Sequence, residues 1–228
     1  MKILKVGLAG LGTVGGGTWL VCQKNASEIL RKAGKTVKIV AVAEPAKNKF
    51  NNLVKGDVQH LSDAMDLVDI PDIEVIVELI GGDDFARKLV IEALKKGKHV
   101  VTANKALLAK HGNEIFKIAE ENGVSVGFEA AVAGGIPILK VLREGLTANS
   151  IEWIAGIING TTNYILSEME NRGITFDQAL KEAQNLGFAE SDPTLDIDGN
   201  DSAHKLALLA SMAFGTKLNL EKIIVSGI

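Results

Sequence analysis

The feature that most constrains the fold is the glycine-rich segment GLGTVG (residues 10–15), which directly follows the apolar run Ile3–Ala9. That run is too short for a buried helix and has the length of a buried parallel strand. In a strand–turn–helix unit the three glycines permit a tight turn, close approach of the backbone to a pyrophosphate, and close packing of the helix on the strand. An apolar-periodic stretch to about Leu30 predicts that helix. A glycine-rich turn without a ligand is the alternative interpretation.

The rest of the first 133 residues alternates between strand-like and helical patterns. Short β-branched runs predict strands at residues 37–43, 74–80, 98–102 and 124–128. Longer periodic stretches predict helices at residues 85–95 and 105–122. Such alternation is typical of a parallel α/β sheet. We therefore predict a Rossmann-type, doubly wound dinucleotide-binding domain over residues 1–133, with cofactor contacts at Gly10, Leu11, Gly12, Thr13, Val14 and Gly15.

The pattern changes at about residue 134, where we place the start of a second domain that runs to residue 228. Residues 151–158 (IEWIAGII) predict a strand, and helices are predicted at residues 162–171, 176–186 and 201–214. This combination favours an α+β domain. The final residues, LEKIIVSGI, form an apolar run without a polar tail, so we expect the second domain to be incomplete.

Charge and cysteine content exclude several classes of partner. The formal net charge of −3 favours neither nucleic acid nor an anionic membrane as a partner. The single cysteine, Cys22, excludes an internal disulfide framework and is typical of a reducing compartment. The uncharged stretch after Lys5 resembles a signal peptide, but its six glycines make a poor apolar segment, and a nucleotide-binding turn explains them better. We therefore expect a cytoplasmic protein.

The residue that ends the second predicted strand is Glu44, within AVAEP. An acid at this position accepts hydrogen bonds from the adenosine ribose hydroxyls and repels a 2′-phosphate, which favours NAD over NADP. A solvated loop acid is the alternative, and Lys47 and Lys49 lie close enough in sequence to neutralise a phosphate. The preference for NAD is therefore slight, and NADP stays open.

The segment from Gly187 to Lys205 carries five carboxylates in nineteen residues. It is no EF-hand, because placing Gly199 at position 6 puts Thr194 at position 1 and Lys205 at position 12, where a carboxylate must close the site. A solvated acidic turn and a pocket for an amine are the remaining interpretations. Asp201 and Lys205 are four residues apart, on one face of the predicted helix. By spacing alone, a catalytic pair and an exposed helical salt bridge worth about 0.3–0.5 kcal/mol are equally favoured.

Five segments together resemble the homoserine dehydrogenase family: GLGTVG, TANKALLA (residues 102–109), EAAVAGGIPI (129–138), GIINGTTNYIL (156–166) and the acidic stretch that ends at Lys205. They cover nearly the whole chain, and the family normally continues beyond residue 228. The resemblance implies reversible NAD(P)-dependent reduction of L-aspartate 4-semialdehyde to L-homoserine in threonine, methionine and isoleucine biosynthesis. It also implies a homodimer formed through the sheet of the second domain. A zwitterionic substrate would explain the acidic stretch, since its ammonium group needs carboxylates.

The resemblance also assigns roles to individual residues. It makes Glu190, Asp196, Asp201 and Lys105 substrate ligands, with Asp201 also part of the catalytic group. Lys205 and Lys105 become the acid–base lysines, so oxidation of the alcohol should run better at high pH. Lys105 follows a strand at the carboxyl edge of the predicted sheet, where ligands bind, although a plain surface lysine at a helix start is the alternative.

Further ligands implied by the resemblance belong to the cofactor and to a cation. Gly81, Lys105 and Gly187 join the predicted cofactor contacts. The segment EAAVAGG resembles a monovalent-cation site, which suggests a sodium ion on backbone carbonyls, because carbonyl oxygens suit a hard cation. Those carbonyls belong to Glu129, Val132, Gly134 and Ile136.

Two other functions compete with this one. A semialdehyde dehydrogenase that oxidises the aldehyde needs a cysteine nucleophile in its catalytic domain, whereas Cys22 lies on the first helix behind the glycine turn. A non-catalytic NAD(P)-binding regulatory module, or an inactive fragment, would have no reason to keep Lys105, Glu190, Asp201 and Lys205 together. Asn159-Gly160-Thr161 matches a glycosylation sequon, but we interpret it as a turn that caps the next helix.

Overall fold

The computed structural model describes residues 2–228, which divide into two compact units, one ending at Ala131 and one spanning Val132–Ile228. The sequence places this boundary after residue 133. The first unit contains the predicted parallel sheet, with strands β1 Ile3–Ala9, β2 Thr36–Ala43, β3 Gln59–Leu61, β4 Val75–Glu78, β5 His99–Thr102 and β6 Val126–Gly127. Their order across the sheet is β3-β2-β1-β4-β5-β6. This is the Rossmann order, so the predicted fold class is confirmed for this unit.

Strand β1 lies at the centre of the sheet and pairs with β2 on one side and β4 on the other. The strand order reverses here, so the carboxyl end of β1 lies at the crevice where ligands bind in such sheets. Val6 and Leu8 are buried on β1 and pack with Trp19, Ile39 and Val42. Because β1 has neighbours on both edges and helices on its faces, its apolar run is continuous rather than alternating.

The helices of the first unit largely follow the predicted pattern. They are α1 Thr13–Lys24, α2 Ala26–Ala33, α3 Lys47–Leu53, α4 Asp66–Asp69, α5 Asp84–Lys95 and α6 Lys105–Glu121, followed by a 3₁₀ turn at Glu129–Ala131. The sequence predicts one helix from the glycine turn to about Leu30, whereas the structure has two. Asn25 ends α1 and precedes α2 with φ −106° and ψ 20°, outside helical geometry, so the helix is interrupted there.

The second unit consists of helices and irregular segments. Its helices are α7 Ile138–Lys140, which continues into a π-helical turn at Val141–Gly145, then α8 Gly160–Arg172, α9 Phe176–Asn185, α10 Thr194–Ile197 and α11 Asn200–Phe214, followed by a 3₁₀ turn at Leu220–Lys222. The three longer helices match those predicted. Helices α8 and α9 pack through Ile165, Ala179 and Ala183. None of the helices described for residues 2–228 has the length and apolar character that a bilayer crossing requires.

The strand predicted at residues 151–158 is wrong, because these residues form no regular structure. A strand exists only when a neighbour completes its hydrogen-bond ladder, and none of the residues described for the second unit is a strand. The β component expected of an α+β second domain is therefore absent from the described residues. Two apolar side chains of the segment are exposed, Trp153 by 73% and Ile157 by 79%, whereas its other isoleucines are half-buried.

Candidate functional site

The glycine turn between β1 and α1 has the geometry that its sequence predicts. Gly10 has φ +93°, and a Cβ atom there would lie 2.8 Å from the Leu79 carbonyl oxygen. A Cβ atom on Gly15 would lie 2.0 Å from the Gly10 carbonyl oxygen. A Cβ atom on Gly12, in contrast, would meet no protein atom within 4 Å. The first and third glycines are therefore required by the fold, whereas the second leaves open space beside the helix.

That open space lies at the N-terminus of α1, which no side chain caps. Gly12 is the N-cap residue, and the first turn contains no acidic residue. The backbone N–H groups of the first turn therefore lack an intrahelical partner and carry the positive end of the helix dipole. These residues fit a pyrophosphate, which needs backbone donors, positive potential and an approach free of side chains.

Glu44 lies at the carboxyl end of β2 and is only 8% exposed, so it is no solvated loop acid. Its Oε2 accepts a hydrogen bond from the Leu11 N–H at 3.0 Å, and its Oε1 accepts one from the Ala46 N–H at 3.2 Å. The Lys49 ammonium lies 3.7 Å from Oε2. The carboxylate thus joins the second strand to the glycine turn. Each oxygen keeps a further acceptor position, which suits a ribose hydroxyl.

A second acid at the carboxyl edge, Glu78 at the end of β4, is fully buried. Its Oε1 accepts hydrogen bonds from the N–H groups of Ile80 at 2.9 Å and Gly81 at 3.1 Å, and its Oε2 accepts one from the Thr102 hydroxyl at 2.6 Å. No sequence motif identifies a role for Glu78. Gly81, a predicted cofactor contact, is therefore held by a buried carboxylate and adopts φ +78°.

The same network reaches the start of α6, where Lys105 is the first residue. The Thr102 hydroxyl accepts a hydrogen bond from the Asn104 N–H at 2.9 Å. Asn104 caps the helix by accepting from the Leu107 N–H at 3.1 Å, and its amide donates to the Gly82 carbonyl at 2.7 Å. The backbone before Lys105 is thus tied to both neighbouring strands, and Lys105 itself is half-buried. This order at the strand ends supports a functional interpretation over a plain surface lysine.

The second unit contains a cleft of about 520 Å³. Of the five carboxylates in the acidic stretch, Asp196 and Asp201 line it, together with Lys205. The remaining lining residues come from the start of α8 and the loop after α9: Asn159, Gly160, Thr161, Asn163, Tyr164, Ser167 and Phe188. Thr161 joins these two segments by donating its hydroxyl to the Phe188 carbonyl at 2.7 Å.

Lys205 and Asp201 form a largely buried ion pair in this cleft. The ammonium nitrogen lies 2.6 Å from Asp201 Oδ2, and the two side chains are 17% and 7% exposed. The ammonium also donates to the Ile158 carbonyl at 2.7 Å. The alternative of an exposed helical salt bridge is wrong, because burial makes both charges depend on their partners. The helical spacing predicts the pair, but the third contact comes from a residue distant in sequence.

The other members of the acidic stretch lie outside the lining of the cleft. Glu190 is exposed, and its backbone carbonyl accepts a hydrogen bond from the Gln184 amide at 3.2 Å. Asp192 accepts hydrogen bonds from the Thr194 hydroxyl and N–H, which lower the pKa of its carboxyl. Gly187 ends the α9 region with φ +76°. Substrate binding by Glu190 and cofactor binding by Gly187 stay predictions.

The four predicted sodium ligands occupy the segment where the two units meet in sequence. Glu129 belongs to the 3₁₀ turn of the first unit, whereas Val132, Gly134 and Ile136 belong to the second. Ala133 and Gly134 both adopt positive φ, at 57° and 55°, so the chain turns sharply there. Residues 2–228 contain no cluster of three or more His, Cys, Asp or Glu side chains able to hold a metal ion. That finding does not test a carbonyl site, which stays a prediction.

The sequence Asn159-Gly160-Thr161 predicts a helix cap, and the structure confirms that Asn159 caps α8. Its Oδ1 accepts a hydrogen bond from the Thr162 N–H at 2.8 Å. Its Nδ2 donates to Asp196 Oδ1 at 2.7 Å and to Asp201 Oδ2 at 2.8 Å. The NGTT motif signals the cap, but no local pattern signals the two carboxylates, which lie 37 and 42 residues away.

Comparison with known proteins agrees with this geometry. Residues 10–129 match the profile described as "Homoserine dehydrogenase, NAD binding domain", and residues 137–228 match the profile "Homoserine dehydrogenase". A homoserine dehydrogenase from Pseudomonas aeruginosa is 55% identical over the whole chain, which covers 52% of that relative. The chain thus spans about half the length of the curated relatives it matches.

Solved structures show the same relationship. The crystal structure of a homoserine dehydrogenase from Thiobacillus denitrificans superposes with a TM-score of 0.95 at 57% identity, covering 100% of this chain and 53% of that one. A hyperthermophilic archaeal homoserine dehydrogenase in complex with NADPH superposes with a TM-score of 0.81 at 28% identity, covering 94% of this chain and 70% of that one. On the evidence of both profiles and these relatives, the chain belongs to the homoserine dehydrogenase family.

Proposed function

We propose that this chain carries the catalytic machinery for the reversible, NAD(P)-dependent reduction of L-aspartate 4-semialdehyde to L-homoserine. The observation that carries the proposal is the Lys205 ammonium, which Asp201 and the Ile158 carbonyl hold within 2.7 Å in a cleft that Asp196 also lines. An ammonium group fixed by two acceptors is placed to give a proton to a developing alkoxide.

The charge of the cleft suits a zwitterionic substrate. Two carboxylates, Asp196 and Asp201, face a single cation, Lys205, so the cluster carries one net negative charge. A substrate ammonium group would neutralise this charge by donating hydrogen bonds to the carboxylate oxygens. Such charge-assisted hydrogen bonds are short and directional. The substrate aldehyde then lies toward Lys205. In reduction Lys205 donates the proton, and in the reverse reaction it accepts one, so we propose that oxidation of homoserine runs better at high pH.

For the first unit we propose that the turn at Gly12 and the N-terminus of α1 bind the pyrophosphate, and that Glu44 binds the adenosine ribose. A bound nicotinamide supplies or accepts the hydride. Glu44 favours NAD, because its buried carboxylate repels a 2′-phosphate. We also propose NADP as a cofactor, because one family member was solved with NADPH and the Lys49 ammonium lies close enough to Glu44 to neutralise a phosphate. The further proposed cofactor contacts are Gly81, in the loop after β4, and Lys105, the first residue of α6.

The finer predictions from family resemblance also belong to this proposal. We propose a homodimer formed through the second unit, which the exposed Trp153 and Ile157 support. A cytoplasmic location is supported by the single cysteine. A sodium ion on the carbonyls of Glu129, Val132, Gly134 and Ile136, and the roles of Glu190 and Gly187, complete the proposal.

The test is NADH and NADPH oxidation with L-aspartate 4-semialdehyde, for the 228-residue chain and for Lys205→Ala and Lys205→Arg. Arginine keeps the positive charge beside Asp201 but does not give up a proton in this pH range, so both variants should lose turnover while still binding cofactor. Lys181→Ala, an exposed lysine on α9, is the matched control and should keep wild-type activity. Absence of turnover with intact NAD binding would favour a non-catalytic module, and turnover unchanged in Lys205→Arg would remove the proton-donor role.

A further inference from the structure

The structure assigns to Asn159 the role of positioning residue for the catalytic lysine, through the side-chain amide that joins Asp196 and Asp201. This inference rests on the proposed function, since it concerns the same cleft. Asn159 is 6% exposed, and its amide donates to one oxygen of each carboxylate, at 2.7 and 2.8 Å. Two like charges are thus held side by side by one neutral donor group.

The orientation of the Asn159 amide follows from its other contacts. Its Oδ1 accepts from the Thr162 N–H at 2.8 Å and from the Thr162 hydroxyl at 2.9 Å. A backbone N–H can only donate, so the oxygen of the amide must face the helix and the nitrogen must face the carboxylates. Helix capping therefore determines which end of Asn159 points into the cleft.

The chain of contacts continues to Lys205. Asp201 Oδ2 accepts from Asn159 and also from the Lys205 ammonium, at 2.8 and 2.6 Å. The neighbouring Ile158 carbonyl accepts from the same ammonium at 2.7 Å. The Asn159 side chain thus holds Asp201, and the backbone carbonyl of the preceding residue, Ile158, holds Lys205. A displacement of the segment 158–159 would move both partners of Lys205 together.

Asn159→Asp separates positioning from capping. Aspartate caps a helix as well as asparagine, so Thr162 keeps its acceptor and α8 keeps its start. The substitution removes the amide donor, however, and places a third carboxylate beside Asp196 and Asp201. Thr162→Val is the matched control, because it removes one contact on the capping side and leaves both donor contacts of Asn159 in place.

Steady-state kinetics give the first readout. For Asn159→Asp we expect kcat/KM for homoserine and for the semialdehyde to fall roughly 10- to 100-fold, because small displacements of catalytic groups have effects of this size. The cofactor Kd and the circular dichroism spectrum should match the wild type. Thr162→Val should change kcat/KM by less than about threefold. Wild-type kinetics in a folded Asn159→Asp protein would overturn the inference, and so would an equal loss in Thr162→Val.

A second readout does not depend on turnover and so separates this inference from the proposed function. The ¹⁵N resonance of the Lys205 ammonium, assigned by its loss in Lys205→Arg, reports the contacts of that group in the ligand-free protein. We expect it to shift and its protons to exchange faster with water in Asn159→Asp, and to stay unchanged in Thr162→Val. If the wild type shows no turnover, the proposed function fails, and an unchanged resonance in Asn159→Asp would still overturn the positioning role.

Discussion

The central buried polar group of the first unit is the carboxylate of Glu78, and that of the second unit is the carboxamide of Asn159. Glu78 accepts three hydrogen bonds, two from backbone N–H groups and one from Thr102. Asn159 donates two hydrogen bonds, both to carboxylates. In the first unit the Glu78 carboxylate fixes backbone N–H groups, whereas in the second the neutral Asn159 amide fixes two carboxylates.

This difference shows which groups of each unit are available to bind a ligand. The first unit uses its buried acid to shape loops, so a ligand meets backbone N–H groups and the open space at Gly12. The second unit leaves the charged groups themselves, Asp196, Asp201 and Lys205, on the wall of the cleft. Substitutions at the contacts that shape the loops of the first unit should therefore change stability and cofactor binding together. In the second unit, substrate binding should be separable from stability.

The largest expected effect comes from Gly15→Ala. The added Cβ would lie 2.0 Å from a backbone carbonyl oxygen, so the turn must move, and we expect the free energy of unfolding to fall by about 3 kcal/mol with loss of NAD binding. Gly12→Ala meets no protein atom, so it should lose NAD affinity at unchanged stability. Urea denaturation and NAD titration measure both quantities. A Gly12→Ala protein that binds NAD normally would contradict the assignment of the pyrophosphate site.

Glu78→Gln tests whether the first unit couples stability to binding. The substitution replaces one carboxylate oxygen by an NH₂ group, which then faces either the two N–H groups or the Thr102 hydroxyl. We expect the free energy of unfolding to fall by about 1–3 kcal/mol and NAD to bind more weakly. Glu74→Gln, an exposed acid at the other end of the β4 region, is the control and should change neither. Loss of stability with unchanged NAD affinity would show that the loop at Gly81 does not contribute to binding.

Asp196→Asn tests the opposite behaviour in the second unit. The residue is half-buried and can still accept from Asn159, so the urea midpoint should hardly change. Loss of one charge facing the substrate ammonium should raise KM roughly tenfold, the equivalent of about 1.4 kcal/mol. Asp198→Asn, exposed and outside the cleft lining, is the matched control. If Asp196→Asn lowered stability as much as substrate affinity, the two quantities would be coupled in the second unit as they are in the first.

The smallest expected effect lies at Lys98, which directly precedes β5 and so lies at the end of that strand opposite the carboxyl edge. Its ammonium donates to the carbonyls of Ile70 and Ile73, both at 2.7 Å, and burial lowers the pKa of this lysine. Lys98→Met should cost about 1 kcal/mol of stability and leave NAD affinity unchanged.

The sign of the pH dependence at Lys98 follows from the lowered pKa. The unfolded chain binds the proton more tightly than the folded one, so the wild type gains stability as pH rises from the lowered folded pKa to about 10.5. The difference in unfolding free energy between wild type and Lys98→Met should therefore grow over that range in urea titrations. A difference that stays flat or shrinks would contradict the assigned direction.

The sequence by itself determined the features that depend on near neighbours. The strand–turn–helix at the glycine turn and the pairing of Asp201 with Lys205 follow from backbone geometry over a few residues, so their pattern predicts them. The cap at Asn159 is local in the same sense.

Only the tertiary structure decided the contacts between distant segments. Strand β3 is three residues long and shows no periodicity, and it exists because β2 offers it a ladder. Residues 151–158 have a strand pattern but no partner in the described residues, and they form no strand. The hydrogen bonds of Glu78 to Thr102 and of Asn159 to Asp201 join residues 24 and 42 positions apart. Such pairs depend on how whole elements pack, which no periodicity along the chain encodes.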